Sequence, residues 1–245
     1  MPIASNFTSV YSKDWEINFM QCTPNGFLKY VDLCNLIQLT AAAHSEIGGI
    51  SFVDMQQFDQ AWVLSRMRVE IEALPKWKDC ITIKTWINTL EHSRTIRAIE
   101  VSVNGKKMIG AETFWAVFNT RIRRPESLSL PHEQYEKFPE DRATAIPFSK
   151  ITLGEEKQLV SERTVVLSDL DMVNHVNNVK YLEWCLDTLE EKIILNRKMK
   201  SFEMNFLREL SLKDKVAIYE NHSTEQMIFS IDKDDKPVFA LALQY

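Results

Sequence analysis

Four cysteines in 245 residues, Cys22, Cys34, Cys80 and Cys185, stand far apart and form no CxxC pair, and no histidine-rich tract accompanies them. Neither a zinc ribbon nor a disulfide framework organises such a chain, and the four read as small buried hydrophobes in a reducing compartment. An excess of basic charge is missing as well. With a net charge of −5 and a pI near 5.6, the chain has no general attraction to nucleic acid or to anionic membrane, so a polyanionic partner must be met by a local patch. No apolar run reaches the length of a membrane span, and MPIASNFTSVYSKDWEINF has neither a basic n-region nor an apolar h-region. The expected location is the cytoplasm. The GxSxG elbow, the Walker A loop, GxGxxG and HExxH are all absent, which removes the commonest serine hydrolase, nucleotide-binding and zinc-protease readings. No cofactor and no metal are expected.

What is present is an apolar fraction of 45%, ordinary for a protein with a real core. Mixed aromatic and polar residues from Thr8 to Phe19 predict a strand ending at the turn signal Thr23-Pro24-Asn25-Gly26. Phe27 to Ala43 follows as a helix apolar on nearly every side, and such a helix must be wrapped. Strands supply the wrapping. Arg66 to Ala73 sets Met67, Val69, Ile71 and Ala73 against Arg66, Arg68, Glu70 and Glu72, the alternation of a half-buried antiparallel strand. Residues 81–87 and 94–103 continue it, and Asn104-Gly105 is a hairpin signal leading into residues 107–118.

Between Arg121 and Val160 the character changes, because four of the eight prolines (Pro125, Pro131, Pro139, Pro147) fall there among many charges. This predicts a linker. The plan then repeats: a strand at 163–167, a helix at 177–195, and strands near 202–207, 215–220, 227–231 and 238–243, with a last turn at Asp234-Asp235-Lys236. Short matches accompany the repeat. Lys29-Tyr30-Val31-Asp32-Leu33-Cys34 resembles Lys180-Tyr181-Leu182-Glu183-Trp184-Cys185, and Trp77-Lys78-Asp79 resembles Leu212-Lys213-Asp214. The expectation is an α+β chain of two related units, residues 1–124 and 161–245, joined by a linker at 125–160.

Chemistry concentrates in Ser168 to Cys185, SDLDMVNHVNNVKYLEWC, which holds two Asp, three Asn and one of the five His. Val179, Leu182, Leu186, Leu189 and Ile193 place one apolar stripe on the helix that follows, so the polar cluster lies at its N-terminus. There Asn177 or Asn178 can cap, and unpaired N–H groups near Val176 to Asn178 can face a growing negative charge. Loops and caps prefer Asp and Asn anyway, so on these residues alone a plain capped helix is the favoured reading.

DLDMVNHVNNVKYLEW at 169–184 resembles the signature of the acyl-ACP thioesterases, enzymes that hydrolyse acyl groups from acyl carrier protein (ACP). WVLSRMRVEIEALPKWKDCITIKTWI at 62–87, FWAVFNTRIRRPESLSLP at 114–131 and NFLREL at 205–210 resemble further segments of that family, in the same order. The resemblance implies two tandem hotdog units, each a long helix wrapped by a curled antiparallel sheet, agreeing with the repeat. It implies a catalytic Asp171 and His175, with Glu209 from a strand of the second unit, and Asn174 and Asn177 as amide or oxyanion support. Glu209 or Asp171 is the base, and sequence does not choose between them. The implied partner is acyl carrier protein bearing a fatty acyl-phosphopantetheine, with a homodimer left open. Arg121, Arg123 and Arg124, a basic cluster in an acidic chain, are candidates to dock that carrier. Two departures stand out. The family usually has Asp-x-Asn-x-His, whereas Val173 stands at the Asn position with Asn174 one place later, and Leu210 stands where some members carry Cys. The first unit has Pro24-Asn25-Gly26 in place of the cluster, which suits an acyl cavity better than a second active site. Acyl-CoA hydrolysis and non-catalytic acyl binding on the same fold are the competing readings.

Overall fold

A computed structural model describes residues 3–154, 156–222 and 226–245. They form two compact units, one within residues 3–65 and 72–147 and one of residues 66–71 with the described part of 148–245.

Unit one begins with strand β1 (Val10–Glu16), then helix α1 (Tyr30–Ile47), the short helix α2 (Phe52–Gln56) and the first part of strand β2 (Gln60–Ile71). Strands β3 (Cys80–Glu91), β4 (Arg94–Val103), β5 (Lys106–Asn119) and β6 (Arg124–Pro125) complete it. The sheet runs β1-β3-β4-β5, antiparallel throughout, with β6 paired to β5. Ile81, Ile83 and Ile87 of β3 and Ile99 and Val101 of β4 are buried, as is the face of α1 bearing Leu33, Ile37, Ala41 and His44. The Asn104-Gly105 turn joins β4 to β5 with both φ positive, 50° and 75°, as a two-residue hairpin requires.

Unit two holds Arg66–Ile71 of β2, then strand β7 (Gln158–Thr164), helices α3 (Asn178–Leu186) and α4 (Glu191–Leu195), and strands β8 (Ser201–Phe206), β9 (Lys215–His222), β10 (Gln226–Lys233) and β11 (Lys236–Gln244). Its sheet order is β2-β8-β11-β10-β9-β7. The helix expected over 177–195 is interrupted. Asp187 caps α3, and Thr188 turns back to donate to the Cys185 carbonyl through both its N–H (3.2 Å) and its hydroxyl (2.7 Å), which ends the ladder one turn before α4.

Backbone hydrogen bonds expose the duplication. Thr23 N–H donates to the Phe27 carbonyl (2.8 Å) as Asp171 N–H does to that of His175 (2.9 Å), and Leu28 N–H meets the Pro75 carbonyl as Val176 N–H meets that of Leu210. Lys78 and Lys213 both take positive φ, 70° and 69°, in turns closed by Asp79 and Asp214, which confirms the pairing of Trp77-Lys78-Asp79 with Leu212-Lys213-Asp214. The helices align otherwise. Lys29 N–H bonds Gln21 O as Asn177 N–H bonds Asp169 O, and both residues are N-caps, so Lys29 corresponds to Asn177 and not to Lys180.

The proline-rich segment expected as a linker from 125 to 160 is divided between the units. In unit one Trp86 Nε1 donates to Asp141 O (2.8 Å), Asn88 Nδ2 to Phe138 O (2.6 Å), and Tyr135 is fully buried with its hydroxyl on His44 O (3.2 Å). From residue 148 the chain covers β8, where Ile151 N–H donates to Asn205 Oδ1 (3.0 Å) and Ser149 N–H to Glu203. Arg68 is buried between Glu70 (3.0 Å) and Glu203 (3.2 Å) instead of meeting solvent.

Candidate active site

The loop from Leu170 to Asn177 is held at both ends. Asp169 accepts from Val166 N–H through its side chain (2.9 Å) and from Asn177 N–H through its carbonyl (2.9 Å), and a bridge pairs Leu170 with Val176. Inside, Asn174 N–H bonds Asp171 O (3.2 Å), which sets Asn174 at φ 63°, a left-handed conformation that Asn tolerates better than most residues. Asp171 Oδ1 accepts from the N–H groups of Val173 (2.9 Å) and His175 (3.3 Å), so this carboxylate shapes the loop that presents the histidine.

The Val176 to Leu210 hydrogen bond (2.9 Å) pins the segment after β8 beside this loop. Glu209 lies in that segment, three residues beyond the end of β8, not on the strand expected from sequence. It is brought to His175: Nε2 and Oε2 are 3.5 Å apart, with each side chain about one-third exposed (31% and 32%). Tyr181, in the first turn of α3, sits where these charges converge. Burial raises its phenol above the usual range, the Leu210 backbone hydrogen bond opposes, and the negative charges of Glu209, Asp171 and Asp214 raise it further. Tyr181 thus stays a neutral hydroxyl among carboxylates. Sequence reasoning saw this tyrosine only as part of a repeat match; its position one turn beyond the Asp/His cluster was the signal available.

Asn177 Oδ1 accepts from Val179 N–H (3.2 Å) and caps α3. Two of the N–H groups expected to face an oxyanion are already taken, Val176 by Leu210 O and Asn177 by Asp169 O. Asn174 and Val173 are exposed on the loop's outer side. The corresponding positions of unit one carry Thr23, Phe27 and Leu74 in place of Asp171, His175 and Glu209, so the acid and base groups have no counterparts there. Among the described residues, no group of three or more His, Cys, Asp or Glu is arranged to hold a metal ion, and no helix is long and apolar enough to cross a membrane.

Arg121, Arg123 and Arg124 lie in unit one, at the turn between β5 and β6. Asn119 Oδ1 builds this turn by accepting from Arg121 N–H (2.9 Å) and Ile122 N–H (3.0 Å), and Arg123 takes φ 58° with its guanidinium over the Phe118 ring. Arg121 pairs with Asp59 (2.8 Å) while its side chain stays 78% exposed, and Arg124 is exposed. Unit one also holds a partly open cavity of about 200 Å³, lined on α1 by Gln38, Ala41, Ala42, Ser45 and Glu46 and elsewhere by Thr95, Arg97 and apolar side chains including Trp62, Leu90 and Trp115.

An α+β protein of two helix-and-sheet units, with a histidine and carboxylate pair at the start of one helix, is the class that fold and site define. The model of the acyl-ACP thioesterase N-terminal domain matches residues 8–137 and that of the C-terminal domain residues 154–237, so the chain belongs to the acyl-ACP thioesterase family. Among curated relatives, oleoyl-acyl carrier protein thioesterase 1, chloroplastic, of Arabidopsis thaliana is 28% identical over 204 residues, covering 75% of this chain and 56% of its own length. Dodecanoyl-[acyl-carrier-protein] hydrolase, chloroplastic, of Cinnamomum camphora is 25% identical over 223 residues, 83% and 57% of the two chains. The chain thus spans a little over half the length of these relatives. Among solved structures, an acyl-ACP thioesterase from Bacteroides thetaiotaomicron superposes with a TM-score of 0.89 at 22% identity, covering 96% of this chain and 97% of that one. The 12:0-ACP thioesterase of Umbellularia californica gives 0.83 at 20% identity, with 97% of both chains covered. The fold is two tandem hotdog units.

Proposed function

We propose that the protein hydrolyses the thioester of fatty acyl-ACP to a free fatty acid and the carrier thiol, a step that ends fatty-acid synthesis. The observation that carries this reading is the facing of His175 and Glu209 at 3.5 Å beside the Asp171 loop, in a chain matched by both domain models of the family. Asp171 Oδ1 is engaged by two loop N–H groups, so Asp171 positions, and Glu209 is the base. Glu209 takes a proton from water as its oxygen attacks the acyl carbon. The tetrahedral oxyanion collapses, the C–S bond breaks, and the proton reaches the departing thiolate through His175. A separation of 3.5 Å is long for a hydrogen bond and shortens once substrate excludes water. Four free cysteines suit a reducing cytoplasm.

The test is hydrolysis of one acyl group presented on ACP and on coenzyme A. Efficient turnover of acyl-ACP with weaker turnover of acyl-CoA is expected. The reverse ratio assigns the chain to acyl-CoA hydrolysis, and binding without turnover makes it an acyl-binding module.

A further inference from the structure

Tyr181 stands four residues beyond the N-cap of α3 and is buried, and its ring is fixed by other rings. Trp184 lies 5.6 Å away between centroids, Phe206 5.9 Å away and edge-on, and Phe239 5.2 Å away. A ring packed in this way delivers its hydroxyl to one place. That place is the Leu210 backbone, which hydrogen-bonds the phenol oxygen. Burial dominates the raised pKa of the phenol, and the Leu210 contact works against it, favouring the ionised form as only a donor to the oxygen can. The Leu210 N–H is therefore the group that points at Tyr181.

Leu210 is held from three sides: its carbonyl accepts from Val176 N–H (2.9 Å), its side chain is fully buried, and its N–H meets the tyrosine. The peptide that carries this N–H is the planar unit joining Glu209 to Leu210, so fixing it fixes the backbone from which the Glu209 side chain springs. Glu209 lies beyond the end of β8 with its side chain one-third exposed, and its direction toward His175 depends on that backbone.

The duplication supplies the control. Lys29 corresponds to Asn177, which sets Leu33 at the position of Tyr181, and Pro75 stands at the position of Leu210. Unit one thus lacks both the hydroxyl and the N–H, and it also lacks the acid and base groups. Yet Leu28 N–H still meets the Pro75 carbonyl (2.8 Å), so pinning this segment beside the loop does not require the tyrosine contact. The hydroxyl accompanies the chemistry and not the fold.

We propose that Tyr181 is a positioning residue of the active site: acting through the Leu210 N–H, its hydroxyl holds the 209–210 peptide so that the Glu209 carboxylate faces His175. Its effect on rate rests on the hydrolase reading above, whereas the hold itself belongs to the backbone and is measured without turnover.

Tyr181→Phe keeps the ring and removes the oxygen. In that variant kcat for acyl-ACP should fall about tenfold or more with KM within about twofold of wild type, while the melting temperature drops by no more than about 5 °C. In a Glu209→Gln background the same substitution should cost less than about twofold, because an effect carried by Glu209 has nothing left to act on, whereas a merely structural role would cost the same in both backgrounds. Amide exchange followed by NMR on the full chain gives the readout that needs no substrate: the Leu210 N–H should exchange at least about tenfold faster in Tyr181→Phe, with the Val176 N–H little changed. Unchanged kcat, an equal loss in both backgrounds, or an unchanged Leu210 exchange rate would each overturn the proposal. Accelerated Leu210 exchange in a protein whose wild type leaves acyl-ACP intact would sink the hydrolase reading and keep the hold of Tyr181 on the site.

Discussion

At the scale of the residue, Glu209 and His44 are each defined by what faces them. Glu209 follows Arg208 on an exposed segment, and a surface ion pair there is worth little, but its carboxylate faces His175. Glu209→Gln keeps the shape and removes the proposed base, so kcat for acyl-ACP should fall by about a hundredfold or more at unchanged stability. A drop of only a few-fold in steady-state kinetics would assign Glu209 to the surface. His44 carries a different consequence. Burial first and the Arg97 charge second lower its pKa to about 3, against a partial opposing effect of the Thr8 carbonyl. The unfolded chain takes up this proton below about pH 6.5 while the folded chain refuses it, so stability is intact above that pH and is lost progressively as the pH falls toward 3. Urea unfolding at pH 7 and pH 4 should differ by roughly 3 kcal/mol on this account, and His44→Gln should flatten the difference by that amount.

At the scale of the element, the loop before α3 shows what was legible and what was not. The Asp/Asn/His cluster and the capping helix could be read directly, because caps and loops select those side chains for local reasons. Glu209 could be named only through the family resemblance, since its meeting with His175 depends on one long-range bond, Val176 to Leu210, that no local pattern encodes. The helix repeat was read three residues out of register: one turn of helix returns a similar residue pattern to the same face, so short matches slide by a turn, whereas the Lys78 and Lys213 turns are fixed by positive φ and cannot. The missing family Asn falls into place here. Asn174 corresponds to Gly26 of unit one, and both have positive φ, 63° and 81°. We propose that Asn174 serves the backbone. Asn174→Gly should leave kcat within a few-fold of wild type, and Asn174→Ala should lower stability by about 1 kcal/mol, the penalty for a Cβ without a helpful polar group in that conformation. A tenfold loss of kcat in Asn174→Gly would instead place the amide in the chemistry.

At the scale of the whole molecule, coverage escaped the sequence. Proline and charge marked residues 125–160 as a linker, yet backbone carbonyls of Phe138 and Asp141 accept from Trp86 Nε1 and Asn88 Nδ2, and Asn205 and Glu203 hold residues 149–151. Proline-rich chain without its own hydrogen-bond ladder offers carbonyls to buried side chains, a use that composition does not distinguish from a tether. The same ambiguity attaches to the three arginines of the β5–β6 turn. The chain carries −5 overall, so an acidic carrier approaching it is repelled unless a local patch reverses the field within a Debye length of about 8 Å at physiological salt. Arg121, Arg123 and Arg124 supply such a patch on a turn whose backbone Asn119 fixes, and the exposed Arg121 to Asp59 pair is too weakly held to cancel it. Reversing all three to Glu should raise KM for acyl-ACP about tenfold or more at low salt, with the effect shrinking as salt is added and kcat little changed, because steering acts on encounter and not on the bond-breaking step. A short acyl-pantetheine thioester, which carries no acidic protein, should be hydrolysed by the variant as by wild type. Equal loss on both substrates would mean that the substitutions damage the turn, and unchanged KM for acyl-ACP would move the carrier's docking surface elsewhere on the molecule.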